Sequence, residues 1–188
     1  MENVRRMLRE SLEESPVVDK DGYQYFVNPL TDGIPHVDPA LISEVVRGFG
    51  IVADLDCDVI LAPEAMGIPL ATGLSLATGI PFSIIRKRRY GLPGELEIRQ
   101  VTGYSESRMY VNGLGPGDRV VIVDDVISTG GTLAGIAEVL RGAGIVLTEV
   151  LVILDKSQDV TVAESRIGAP VRSLAKVVMV DGRPVVPE

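Results

Sequence analysis

Through the middle of the chain, short runs of branched apolar residues alternate with stretches of helical spacing. Asp58-Val59-Ile60-Leu61-Ala62-Pro63, Phe82-Ser83-Ile84-Ile85, Val120-Val121-Ile122-Val123 and the segment from Ile145 to Leu154 are the runs. Continuous apolar character without alternation predicts strands covered on both faces, as in a parallel sheet. Between the runs, Leu41, Ile42, Val45, Val46 and Phe49 recur at helical spacing and predict a helix to about Ala53. Asp38 as N-cap and Pro39 at the first helical position open it. Gly67 to Thr78 predicts a second helix, closed by Gly79 with Pro81 beyond, and the apolar run from Leu133 to Leu140 predicts a third. The repeated strand–helix–strand order implies right-handed crossovers. The expected fold class is α/β, a parallel twisted sheet with helices on both faces.

The remaining segments predict smaller pieces. Arg5 to Glu14 reads as a surface helix and Tyr23 to Val27 as a strand. Glu95 to Val101 and Arg108 to Val111 read as a hairpin with an open tip, and Lys176 to Val180 as a last strand. Pro116 and Gly117 fix a turn over Gly113 to Gly117. There is no repeat or long linker, so the 188 residues are expected to form a single domain, 1–188.

Composition narrows the function classes. With 46% hydrophobic and 23% charged residues the chain matches ordinary soluble globular proteins. Its apolar runs are too short to span a bilayer, and Met1-Glu2-Asn3-Val4-Arg5-Arg6 opens no secretion signal, so no membrane partner is expected. A lone cysteine, Cys57, fits a reducing, cytoplasmic setting and reads as a structural thiol. A net charge of −8 and the lack of tryptophan argue against a nucleic-acid partner. His36 stands alone and no Cys/His cluster exists, which removes structural zinc. Neither a Gly-x-Gly-x-x-Gly fingerprint nor a Walker A lysine loop is present, which removes dinucleotide and ATPase readings.

The densest chemistry lies in Val120-Val121-Ile122-Val123-Asp124-Asp125-Val126-Ile127-Ser128-Thr129-Gly130-Gly131-Thr132. The apolar run predicts a strand that ends at the two acids. Ser128 to Thr132 then offers hydroxyls and backbone amides at a helix N-terminus, a site for an anion. Carboxylates in contact with a phosphate would repel it. They make sense binding hydroxyls or a metal a few ångströms away, and a sugar phosphate carries both kinds of group. This segment resembles the phosphoribosyl-pyrophosphate (PRPP) signature of the type I phosphoribosyltransferases. The resemblance implies that Asp124 and Asp125 hold the ribose hydroxyls, and that Ser128, Thr129, Gly130, Gly131 and Thr132 take the 5′-phosphate. It also implies a small hood, contributed by about 1–35 and the C-terminal segment, and a flexible hairpin loop.

Further pieces fit the same resemblance. Glu64-Ala65-Met66-Gly67 follows a strand and opens a helix, where the family has a pyrophosphate loop, often with an unusual backbone. Arg86-Lys87-Arg88-Arg89 concentrates cations in one loop of an acidic chain. In the family a mobile basic loop closes over pyrophosphate, which makes Lys87 and Arg88 candidate catalytic residues with Arg86 and Arg89 beside them. Tyr104, Ser105 and Glu106 lie where adenine-type enzymes carry catalytic loop residues, but the spacing departs and no general base is assigned. Lys156 ends a long strand, and an ammonium only donates hydrogen bonds. At a base pocket it suits the acceptor of a 6-oxopurine and rejects the amino donor of adenine. Phe26 is a candidate to stack on the base.

Taken over nearly the whole chain, the pattern looks most like archaeal hypoxanthine/guanine phosphoribosyltransferases. The resemblance implies Mg²⁺ held mainly by substrate and water, with no protein metal site, and a homodimer. Specificity for xanthine or adenine, and a non-catalytic PRPP-sensing regulator, remain as alternatives.

Overall fold

The computed structural model describes residues 1–20, 23–101 and 106–187. Its centre is a five-stranded sheet built from β3 (Val59–Pro63), β4 (Phe82–Ile85), β7 (Arg119–Ile127), β8 (Val146–Asp155) and β9 (Val171–Lys176). The strand order is β4-β3-β7-β8-β9, and every pairing is parallel. Alternate side chains of the central strands enter two different cores, which is why the runs are apolar throughout. Ile60, Val121, Val123, Leu151 and Ile153 face one side, with α1 (Glu2–Glu13), α3 (Pro39–Val52) and α4 (Gly67–Thr78). Leu61, Val120, Ile122, Val150 and Val152 face the other, with α5 (Gly131–Gly142) and α6 (Val160–Ile167). The α/β class, the parallel sheet and the two helical layers are as the sequence predicts.

Local signals place several boundaries. The Asp38 carboxylate accepts from the Ala40 amide at 2.8 Å, capping α3 as expected. Gly79 closes α4 in the left-handed conformation, with φ 77°. The hairpin is β5 (Leu96–Val101) with β6 (Glu106–Val111), paired in register from Leu96↔Val111 to Val101↔Glu106. Its expected open tip, including Tyr104 and Ser105, lies outside the described residues, as does the side chain of Glu106.

Three expectations are corrected. The signature strand does not end at the acids. β7 continues through Asp124 and Asp125 to Ile127, because β8 goes on pairing with it as far as Ile127↔Asp155. The expected strand from Lys176 to Val180 is two elements. β9 finishes at Lys176 as the outer strand of the sheet, and β10 (Val178–Val180) turns away to pair with β11 (Arg183–Val185). The N-terminal helix is no mere surface element. Val4, Leu8 and Leu12 repeat at helical spacing and are buried against the sheet. Above the sheet, β1 (Val17–Lys20) pairs with β2 (Tyr23–Phe26), and the short α2 (Pro29–Asp32) follows, capped by Asn28.

Gly67 is the tightest joint between helix and sheet. A β-carbon there would lie 2.7 Å from the Val123 carbonyl oxygen and 3.3 Å from Ala62 Cβ. Replacing Gly67 with Ala is therefore expected to lower stability by about 2 kcal/mol, since neither backbone can yield cheaply. Urea unfolding with an unchanged m-value is the check; a midpoint equal to that of the unaltered chain would contradict the packing.

Candidate active site

The carboxyl ends of β3, β7 and β8 deliver three loops to one side of the sheet, where ligands of such folds bind. The first is the signature loop. Residues Asp124 to Leu133 line a cleft of about 280 Å³. Gly130 is the N-cap of α5 at φ 70°, and a β-carbon on it would meet Ala163 Cβ at 2.9 Å. Glycine is thus required both by the turn and by the close approach of α6. The amides at the start of α5 open toward the cleft region as an anion cradle.

The acids sit at the floor. The Asp125 amide donates to Asp124 Oδ1 at 3.0 Å, and the Val126 amide donates to Asp125 Oδ1 at 2.9 Å. Burial pushes Asp124 well above the usual carboxylate range, and the neighbouring Asp125 charge adds to the shift. Burial also raises Asp125, against hydrogen bonds from Asp124 and the Val126 amide that act to lower it. Asp32, at the end of α2, contributes a further upward push on Asp125. The adjacent acids lack enough donors to hold two charges side by side. Hydroxyl groups of a bound sugar would supply such donors.

The second loop is Glu64 to Gly67. The Glu64–Ala65 peptide is cis, the unusual backbone the resemblance implies. The Glu64 carboxylate is turned to the basic loop. It accepts from the Lys87 amide at 2.9 Å and from Arg86 Nε at 3.3 Å. The Lys87 amide holds Glu64 below the usual carboxylate range, and Arg86 adds to that. Ala65 is exposed, Met66 half-buried and Gly67 buried. Arg86, Lys87, Arg88 and Arg89 are all exposed on the loop that leaves β4. Arg86 and Tyr110 form an isolated antiparallel bridge that ties the loop to β6.

The third loop begins at Lys156, whose amide donates to the Ile127 carbonyl at 2.8 Å and so joins it to the signature loop. Lys156 Nζ stands 4.7 Å from the Phe26 ring centroid and 6.0 Å from that of Tyr25. Phe26 itself is buried at 3% exposure in the core, and the adjacent Tyr25 is half-buried. Behind Lys156, the buried Asp155 accepts from the Ser157 amide at 2.7 Å and from Lys176 Nζ at 3.0 Å. Lys176 also donates to the Ser157 carbonyl. Neither Asp155 nor Lys176 stands out in the sequence as a site residue, because an acid and a base 21 positions apart carry no local pattern. His36 is exposed, and half-buried Cys57 has its thiol raised by burial.

A family model for the phosphoribosyl transferase domain matches residues 40–166, which spans β3 to α6 and all three loops. The chain belongs to this family. A hypoxanthine/guanine phosphoribosyltransferase of Methanothermobacter thermautotrophicus is 50% identical over 176 residues, covering 94% of this chain and 91% of the relative. HGPRTase-like protein 2 of Natrialba magadii is also 50% identical, over 94% of this chain and 96% of its own. Among solved structures, the adenine phosphoribosyltransferase of Saccharomyces cerevisiae superposes with a TM-score of 0.74 at 24% identity, over 93% and 99% of the two chains. That likeness establishes the shared phosphoribosyltransferase fold.

In this phosphoribosyltransferase the raised Asp124 sets a sign for stability. A carboxyl whose folded value lies above its unfolded value favours the fold below the ordinary carboxylate range. That contribution is lost as pH rises through the raised value. Replacing Asp124 with Asn is expected to raise stability at neutral pH by about 1 kcal/mol and to flatten the dependence on pH above 4 or so. Thermal melts across pH check this; a variant less stable than the parent at neutral pH would contradict the burial of an uncompensated charge.

Proposed function

We propose that this phosphoribosyltransferase acts in purine salvage, transferring the 5-phosphoribosyl group of PRPP to hypoxanthine or guanine. The products are IMP or GMP and pyrophosphate. The single observation that carries this reading is the cleft lined by the acid pair and the glycine loop, with Lys156 tied to its edge through the Ile127 carbonyl. The hypoxanthine/guanine name of a relative identical at half its positions supports the choice of base.

In this proposal Asp124 and Asp125 accept from the ribose hydroxyls, and the amides and hydroxyls of Ser128 to Thr132 receive the 5′-phosphate. The turn from Glu64 to Gly67 and the cations Arg86, Lys87, Arg88 and Arg89 surround the pyrophosphate. Departure of pyrophosphate runs ahead of attack by N9 of the base, so positive charge builds on the ribose ring. The carboxylates beneath it then stabilise that charge by proximity. Lys156, seated over the buried Phe26 ring, donates to the 6-oxo group, and the half-buried Tyr25 walls the base. The basic loop excludes water that would hydrolyse PRPP.

Mg²⁺ would be held mainly by the phosphate and hydroxyl oxygens of the substrate and by water, beside the acid pair rather than on it. Among the described residues no cluster of three or more acidic, His or Cys side chains forms a dedicated cage. Mg²⁺ keeps waters and substrate oxygens as ligands in such settings and would neutralise the leaving group when bound.

The chain is proposed to work as a single unit over 1–188, with about 1–35 and the C-terminal segment as a hood. Val4, Leu8, Phe26, Leu30 and Val186 share a core with the sheet, which supports this. It is further proposed to act as a cytoplasmic homodimer. Phe82 on the edge strand β4 and Leu76 on α4, 36% and 84% exposed, supply apolar surface for a second copy. No helix among the described residues is long and apolar enough to cross a membrane.

Initial rates with hypoxanthine, guanine, xanthine and adenine test the reading. Pyrophosphate release is expected with hypoxanthine and guanine. Adenine as the fastest substrate would overturn the role given to Lys156. PRPP binding with no pyrophosphate released by any purine would replace the enzyme with a sensor. Replacing Asp125 with Asn is expected to lower kcat/KM for PRPP by about a hundredfold, and unchanged turnover would remove Asp125 from the site.

A further inference from the structure

Four adjacent cations on an exposed loop carry charge but nothing in their own sequence aims it. Long side chains lose rotamer freedom whenever they are held on one anion. The loop contains a brace. The Tyr90 hydroxyl accepts from Arg86 Nη1 at 3.0 Å, and the Arg88 guanidinium lies 5.4 Å from the Tyr90 ring centroid. One tyrosine thereby touches two of the cations through two different parts of its side chain.

Tyr90 is in turn anchored by a carboxylate. Its amide donates to Glu95 Oε2 at 2.8 Å, and the Gly91 amide donates to Glu95 Oε1 at 3.0 Å. Asn112 Nδ2, at the end of β6, also donates to Oε2 at 3.1 Å, and Arg89 Nε lies 3.6 Å from Oε1. The Glu95 side chain is 6% exposed, whereas that of Arg89 is 70% exposed. The acid lies inside the turn and the arginine outside it.

We propose that Glu95 is a positioning residue which, through Tyr90, aims Arg86 and Arg88 at the pyrophosphate group of PRPP. The inference rests on the function proposed above. A carboxylate is required because both oxygens accept from backbone amides at once. A glutamine would set its NH₂ against one of those amides and leave a donor facing a donor. Glu95 makes no contact with the cleft itself; its effect reaches the substrate only through the loop.

Steady-state kinetics on Glu95→Gln, varying PRPP and hypoxanthine separately, is the test. The KM for PRPP is expected to rise about tenfold, as for loss of a charged hydrogen bond, and pyrophosphate should weaken as a product inhibitor to the same degree. The KM for hypoxanthine should stay within about twofold of the parent value. Tyr90→Leu should reproduce the pattern, and the double variant should be no worse than the worse single one. If Glu95→Gln fails to fold, Tyr90→Leu carries the same readout, because Tyr90 is exposed. Equal rises in both KM values, or no change in either, would overturn the positioning role. Should the unaltered protein turn over no purine with PRPP, the function itself falls and this inference falls with it.

Discussion

Between Gly67 and the carbonyl oxygen of Val123 there is room for a hydrogen and not for a methyl group. That contact seats the N-terminus of α4 directly on the strand that carries the acid pair, one residue before Asp124. It matters because of where the sheet stops. β3 pairs with β7 only as far as Leu61↔Ile122, whereas β8 follows β7 to Ile127↔Asp155. Beyond Ile122 one flank of β7 is open, and the turn from Glu64 to Gly67 occupies the gap. The two loops able to face anions are held at fixed separation by a backbone-to-backbone contact, which does not depend on any rotamer.

Charge is distributed around that joint with a consistent logic. The acid pair proposed to meet the sugar stands in the floor with few donors of its own. Acids that would repel a phosphate are already engaged elsewhere. Glu64 is committed to the Lys87 amide and Arg86, and Glu95 to the Tyr90 and Gly91 amides. Asp155 is committed to Ser157 and Lys176. Each of these carboxylates is engaged by backbone amides or a cation, and the four cations of the basic loop stay exposed beside them.

The large elements and the cleft are legible in the sequence because their signals are local. An Asp-Pro pair starts α3, a glycine at φ 77° ends α4, and the signature loop is a contiguous string. The failures share a cause. Asp124 and Asp125 look like the end of a strand because acids break an apolar run, yet pairing with β8 extends β7 past them. The burial of Val4, Leu8 and Leu12 depends on packing against a sheet strand some 170 residues away, which polar neighbours on the same helix conceal. The bracing roles of Glu64 and Asn112 depend on loops folding back over 23 and 17 positions, and Glu95 holds Tyr90 from five positions away in a turn with no periodic signal, where an isolated acid advertises nothing.

The acid pair also explains why the same strand must be so firmly embedded. Asp124 and Asp125 are raised because burial removes solvent faster than the backbone supplies donors. Such a pair destabilises its own segment at neutral pH, and the cost must be offset by neighbours. Those neighbours are Val121, Ile122 and Val123, wholly buried immediately before the acids, and Ile127, buried just after them. Hydroxyl groups that donated to the carboxylates would reverse the deficit locally, and part of that cost would return as affinity for the diol proposed above. Moving the pair to a flexible loop would relieve the fold, but solvated carboxylates would then gain little from the same hydroxyls. Strand placement, dryness and the raised titration of the two acids are thus one physical choice rather than three.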